Sequence, residues 1–231
     1  MELINYQNPM SLASRLRKKR ILYLVELVDH VICRSRMEEI KIADLGGTLT
    51  YWKIFPFENF STVNFRVDLI NLDYPEYDLE ESILPNVTFS RRIGDACDLS
   101  GIADTSYDIV HSNSVIEHVG SIQKVQKMAK EILRIGKNYY LQTPNFWFPI
   151  EPHFLIPFYT YLPRPVRCRL LQLRFRQDRL QAIQRDETIH LLTKSELKML
   201  FPGAEILTER FFGFAKSFIV RTPVYQKNDA R

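Results

Sequence analysis

Lys41-Ile42-Ala43-Asp44-Leu45-Gly46-Gly47-Thr48 is the stretch on which the fold turns. Residues 40–43 are an apolar run that reads as a buried strand; it stops at an acid, and two glycines follow at once. Glycine has no Cβ, so the backbone can turn sharply there and approach a ligand closely. A strand that ends in such a turn and feeds a helix places ligands at the carboxyl edge of a parallel sheet. Two versions of this turn are excluded by spacing: the G-x-G-x-x-G of a pyrophosphate cradle and the G-x-x-x-x-G-K-[ST] of a P-loop are both absent. The remaining acid-x-Gly-Gly-Thr is either a plain turn or a seat for another ligand.

Composition bounds the rest. A chain of 231 residues suits a single domain with room for a small cap, and 45% hydrophobic with 25% charged residues is the ordinary range of a soluble globular protein. The formal charge of +4 does not by itself imply nucleic acid. Cys33, Cys97 and Cys168 are far apart and odd in number, so no disulfide framework follows and a reducing compartment is expected. The basic residues of 15–20 precede an apolar run at 21–25, but Glu26 and Asp29 interrupt it, which argues against a signal peptide. No segment reaches the roughly eighteen apolar residues of a membrane span. A cytoplasmic protein is the expectation.

Working outward, residues 11–33 read as a helix, with Leu12, Leu16, Leu24, Leu27, Val28 and Val31 at helical spacing and Ser11 as its cap. The run Arg15-Leu16-Arg17-Lys18-Lys19-Arg20 is a solvated face or a patch for an acidic substrate, anionic lipid or partner. After the glycine turn a short helix is expected near Tyr51-Trp52, with Trp52 beside a ligand or in the core. Residues 64–73 form a second strand, with a turn at 74–76. The end of that strand is where a doubly wound sheet carries an acid for ribose hydroxyls, because a carboxylate can accept two O–H bonds. The position falls between Asn71 and Asp73, and if Asn71 holds it a neutral amide stands in for the acid. A third strand begins at 87–89, and Gly94-Asp95-Ala96 follows.

The strongest pattern is Tyr107-Asp108-Ile109-Val110-His111-Ser112-Asn113-Ser114-Val115-Ile116-Glu117-His118-Val119. Its apolar pair is a fourth buried strand, with Ser112 and Asn113 at the carboxyl end facing a ligand crevice. With Asp44-Leu45-Gly46-Gly47 and Gly94-Asp95-Ala96 in order, it resembles the type 11 group of class I S-adenosylmethionine-dependent methyltransferases over residues 40–221. The family usually shows acid-x-Gly-x-Gly-x-Gly, whereas here Thr48 and Thr50 take the later glycine positions. The resemblance implies S-adenosyl-L-methionine as cofactor: its methionine end near Asp44, Gly46, Gly47 and Thr48, its ribose at Asn71 or Asp73, its adenine at Asp95 and the Ala96 N–H, and Ser112 and Asn113 in the crevice. It implies an α/β fold, a doubly wound, seven-stranded, mostly parallel Rossmann-like sheet with helices on both faces. A helical and loop cap over residues 144–190 is inserted after strand five of a single 1–231 domain.

The second half fits that plan. Ile122, Val125, Met128 and Ile132 stripe a helix over 121–135 that Gly136 stops, and a fifth strand runs over 138–143 to Pro144. Residues 143–158 are dense in aromatics and prolines, with Glu151 and His153 among them; the resembling enzymes carry a similar Thr-Pro-Asn…Glu-Pro-His run, which implies substrate contact, the alternative being a packed loop. Residues 163–185 read as one basic amphipathic helix that caps the sheet, meets a phosphorylated substrate or touches anionic membrane. Thr193 and Glu196 make a capping box, and 204–212 with 216–221, joined at Gly213, are closing hairpin strands before a polar tail after Thr222.

The expected activity is methyl transfer to oxygen or nitrogen of a small molecule, saccharide or lipid-linked acceptor; the rival is a degenerate member that binds cofactor or a protein partner without transfer. Of the histidines in reach, His111, His118 and His153, the last, in the substrate-side loop, is the first candidate base and His118 the second, although each taken alone reads more readily as structural. No His/Asp/Glu set has convincing ligand spacing, so no metal is expected. Nucleic acid is not an expected substrate, since no Asn-Pro-Pro-Tyr-like motif or appended RNA-binding domain is present.

Overall fold

The strands are β1 (Glu39–Leu45), β2 (Asn64–Asn71), β3 (Val87–Ile93), β4 (Tyr107–Asn113), β5 (Gly136–Pro144), β6 (Glu205–Phe211) and β7 (Phe214–Arg221). The computed structural model of the chain describes residues 12–35, 38–73 and 85–224, with side chains from residue 18 on. The strands form one sheet in the order β3-β2-β1-β4-β5-β7-β6. The first five are parallel, and β7 runs antiparallel to both β5 and β6. β1, β2 and β4 are buried almost without a break, as parallel strands covered on both faces must be. This is the doubly wound, seven-stranded architecture read from the sequence.

Helices cover the two faces. On one, α1 (Leu12–Ser35) lays Leu24, Leu27 and Val28 on the sheet beside an aromatic group of Trp52, Phe55, Phe57, Phe60 and Phe65. Trp52 belongs to α2 (Leu49–Trp52), the short helix after the glycine turn. On the other face, α3 (Ile122–Ile135) packs Val125, Met128 and Ile132 against the strands. Each such side chain contributes roughly 1.5–3 kcal/mol on burial. The Ser121 hydroxyl caps α3 by accepting from the Lys124 N–H, and Gly136 ends it and opens β5. The capping box of Thr193 and Glu196 is formed, with both partners bonding across the start of α6 (Lys194–Leu200).

Two expectations are corrected. Residues 163–185 are not one helix but a pair, α4 (Arg164–Phe175) and α5 (Arg179–Glu187). Arg176 takes a left-handed φ of 51° that stops the first, and Asp178 with Gln181 forms a capping box that starts the second. The pair folds around a small core of its own, Phe154, Tyr159, Cys168, Leu171 and Ala182. Several of its arginines are held within it: Arg164 and Arg167 pair with Asp186, and Arg185 lies 4.6 Å over the Phe175 ring. The second correction concerns the basic run of α1. Lys18 and Lys19 are exposed, but Arg20 turns inward to Glu209 at 3.3 Å and donates to the Gln142 side chain at 2.8 Å, so it docks the helix on the sheet. The expected cap at Ser11, the side chains of Arg15 and Arg17, the turn at 74–76 and the tail from 225 lie outside the described residues. Among the described residues no helix is long and apolar enough to cross a membrane.

Strand pairing also buries an ion. Asp68 on β2 accepts from the Tyr107 hydroxyl at 2.8 Å and from the Ser90 hydroxyl, with Arg66 at 3.4 Å. Burial alone would raise its pKa; the two hydroxyls and Arg66 outweigh that and hold it below its ordinary 3.8. A carboxylate depressed on folding stabilises the fold fully above its unfolded value and loses that contribution as pH falls through the lower folded value. Asp68→Asn therefore shallows the acid limb of stability measured by urea melts below pH 4. Tyr107→Phe, which removes a hydrogen bond to a charge, costs about 1.5–3 kcal/mol at neutral pH.

Candidate active site

The strand order reverses between β1 and β4, the place where open α/β sheets bind ligands. There the chain leaves β1 through Gly46, whose φ of +73° an L side chain rarely adopts. A Cβ on Gly46 would stand 2.5 Å from Cγ2 of Val115, and one on Gly47 only 1.6 Å from Oδ2 of Asp44. Both glycines are required, but by the protein's own packing: the Asp44 carboxylate folds back beneath the turn.

Asp44 is fully buried and doubly held. Its Oδ2 accepts from Trp52 Nε1 at 2.7 Å, and its Oδ1 lies 2.6 Å from His111 Nδ1. Register explains this: Asp44 sits opposite His111 on β4, which sits opposite Tyr140 on β5. The three form a row across neighbouring strands, with the His111 and Tyr140 rings stacked at 5.6 Å. The Tyr140 hydroxyl ends the row by donating to the Arg20 carbonyl at 2.8 Å.

Two cavities meet at Gly46. The smaller, about 130 Å³, is lined by Asp44, Gly47, Thr48, His111 and Asn113 among others. The larger, about 460 Å³, is within the usual range for ligand sites and is lined by Asn71, Asp73, Asp95, Ala96, His118 and Lys124 among others. Eleven of the twelve residues expected at the site thus fall here or beside it. Ser112 is the exception: it is fully buried, donates to the Leu45 carbonyl at 3.1 Å and lines neither cavity. Facing strand-end position is decided by pleat, and Ser112 points into the sheet packing while Asn113 faces the opening.

Asn71 is the last residue of β2, so the strand-end position left open by the sequence carries the amide; Asp73 stands two residues on, in the lining. The Asn71 Nδ2 donates to the Gly47 carbonyl at 2.9 Å and ties the second strand to the glycine turn. Asp95 accepts from the Cys97 N–H at 2.8 Å, which shapes the loop that presents it. Burial, then the charge of Asp95, pushes the Cys97 thiol up to about 11, so it lines the cavity as a neutral group.

His153 lies outside both linings, yet the insert brings it to the edge. Its Nε2 is 3.1 Å from Nε2 of His118, which lines the larger cavity. Its Nδ1 is 2.6 Å from Oε1 of Glu151, a buried carboxylate that also accepts from the His153 and Phe154 N–H groups. Partial enclosure of its otherwise exposed imidazole, then the neighbouring His153, lowers the His118 pKa below its ordinary 6.5. Beside the pair is Glu117, fully buried, its Oε2 accepting from Thr143 Oγ1 at 3.0 Å. Burial pushes its pKa up to about 7, against the opposing pull of Thr143 and His153. Glu117 and Lys124 escaped the sequence reading; the adjacency of Glu117 to His118 was the available signal for the first, and none existed for the second.

The glycine turn gives two checks. Gly47→Ala destabilises the fold by about 3 kcal/mol or more through overpacking, whereas Gly101→Ala, where a Cβ meets nothing within 4 Å, stays within about 0.5 kcal/mol. Asn71→Asp, which turns an acceptor toward the Gly47 carbonyl, lowers stability by about 1–3 kcal/mol. Thermal melts of the three variants measure these differences.

Residues 60–139, from the approach to β2 into β5, match the family described as a methyltransferase domain, type 11. Over 73 residues the chain is 33% identical to an uncharacterized protein of Mycobacterium tuberculosis, a match that takes in 32% of this chain and 24% of that protein's length. Among solved structures, a possible exported protein from Bordetella parapertussis superposes with a TM-score of 0.50 at 14% identity, covering 84% of this chain and 66% of that one. An S-adenosylmethionine-dependent methyltransferase from Methanosarcina mazei gives a TM-score of 0.46 at 16% identity, covering 82% of this chain and 95% of that one. The family match takes in about a third of the chain, and the sheet order over the whole of it is the one that the resemblance of its motifs implies.

Proposed function

We propose that this protein transfers a methyl group from S-adenosylmethionine to an oxygen or nitrogen of a small, saccharide or lipid-linked acceptor presented under the 144–190 insert. The observation that carries this reading is the contact between His118, in the lining of the larger cavity, and His153, in the insert. It puts a candidate base within reach of both the cofactor cavity and the covering segment.

The lining suits the cofactor. Asn71, Asp73 and Asp95 offer acceptors to hydroxyls and an exocyclic amine, and Lys124 is the one Lys or Arg among the described lining residues, a set that suits a nucleoside better than a phosphate. The small polar cavity at Asp44, Thr48, His111 and Asn113 suits an amino-acid end. When bound, the cofactor supplies an electrophilic methyl on a sulfonium. The protein's work is then chiefly to hold the acceptor close and in line. Glu151 orients His153 through Nδ1, which leaves Nε2 to take the proton that an acceptor hydroxyl or amine gives up. His118, kept neutral by its surroundings, shares that proton across the 3.1 Å contact. The exposed Trp147, Phe158 and Tyr161 of the insert offer an apolar wall for the acceptor.

A second reading has an observation of its own. Thr48 and Thr50, where the family's pattern has glycines, both line the small cavity, which favours a member that binds without transferring. Turnover decides between the two. Labelled methyl appears on at least one member of a panel of phenols, amines, glycans and lipid-linked sugars, and His153→Ala lowers the rate by about 10²–10⁴-fold with cofactor affinity unchanged. Absence of label on every acceptor, with the cofactor bound, leaves the binding-only reading.

A further inference from the structure

We infer that Glu117, His118 and His153 form a binding site for one divalent transition-metal ion of the zinc class, at the boundary between the larger cavity and the insert. One carboxylate oxygen of Glu117 and one ring nitrogen of each histidine lie within 4.8 Å of one another. The two histidines present Nε2 to Nε2 at 3.1 Å. Ligands bound to one ion at about 2.0–2.1 Å lie roughly 2.9–3.4 Å apart for angles between octahedral and tetrahedral, so this separation is already that of a shared ion.

Three further features point the same way. Oε1 of Glu117 is buried with no hydrogen-bond partner, while Oε2 is held by Thr143. An unpartnered carboxylate oxygen in the interior is costly, and a cation beside it removes the cost. His153 has the outer support that metal-bound histidines carry, a carboxylate on the other ring nitrogen, here Glu151 at 2.6 Å. His118 is exposed, so an ion can enter from solvent. Two imidazoles and one carboxylate suit zinc, iron, cobalt or nickel over magnesium or calcium, which prefer all-oxygen shells. Three protein ligands leave at least one position for an acceptor oxygen. The ion would bind that hydroxyl through a lone pair and lower its pKa, the proton leaving to solvent, so that an alkoxide or phenolate attacks the methyl. Imidazole is the base in the metal-free protein, and the ion takes over that part when it is bound.

The inference shares the histidine pair with the proposed transfer but needs no S-adenosylmethionine, so it is tested by binding alone. Chelator-treated protein is titrated with Zn²⁺ by calorimetry and with Co²⁺ by visible absorption. One equivalent binds, Co²⁺ gives d–d bands, and His118→Ala and His153→Ala each weaken binding at least tenfold. His118 is exposed, so its variant folds even if a Glu117 variant does not. S-adenosylmethionine binding is followed separately on the unaltered protein, with and without Zn²⁺. No zinc binding below about 100 μM, or binding that both histidine variants leave unaltered, overturns the site; absence of cofactor binding with zinc binding intact counts against the transfer reading instead.

Discussion

A carboxylate buried at the tip of a central strand is the constraint from which the rest of the site follows. Asp44 has no access to water, so its two oxygens must be satisfied by the protein. Trp52 satisfies one, which brings α2 down over the turn; His111 satisfies the other, which locks β1 against β4 at the switch point. Gly47 has to be glycine because the carboxylate occupies the space of its Cβ. Asn71 then seals the turn from the β2 side through the Gly47 carbonyl. Three strand ends are thereby held in one geometry, and the two cavities on either side of Gly46 are what that geometry leaves open.

The insert after β5 is organised differently. It has a small core of its own; it meets the turn after β4 through the His190 N–H on the Glu117 carbonyl at 2.7 Å and the contact of His153 with His118, and β6 through the rings of Phe148 and Phe211. A rigid parallel sheet presents the cavity, while a loop-rich segment brings His153 to its edge, a division common in α/β proteins. The outer faces of the insert leave Trp147, Phe158, Leu173 and Leu180 exposed, away from the strand tips.

How far the sequence disclosed this depended on the range of the determining contacts. The strands were legible because parallel burial imposes near-continuous apolar runs, as at Ile40 to Leu45 and Val67 to Ile70. The edge that carries the two cavities was legible because glycines and acids sit at strand ends. What stayed hidden was set by pairs distant in sequence. The partnership of Asp44 with His111 spans 67 positions, and that of His118 with His153 spans 35. No spacing rule joins Glu117 and His118 on a 3₁₀ turn to His153 in a proline-rich loop, so their meeting could not be read in advance. Ser112 was misplaced because one residue of strand register exchanges the buried face for the open one. The break at Arg176 was missed because the amphipathic pattern continued through it, although Asp178 followed by Gln181 carries a capping-box signature.

The proposed transfer requires a sulfonium nucleoside in the two joined cavities at the tips of β1, β2 and β4. The most direct measurement is a crystal structure of the protein with S-adenosylhomocysteine. The expected placement has the amino-acid end beside Asp44 and Asn113, the ribose against Asn71 and Asp73, and the adenine against Asp95 and Ala96. A ligand bound elsewhere, or no binding at millimolar concentration with the Asp44–Trp52–His111 cluster intact, would contradict it.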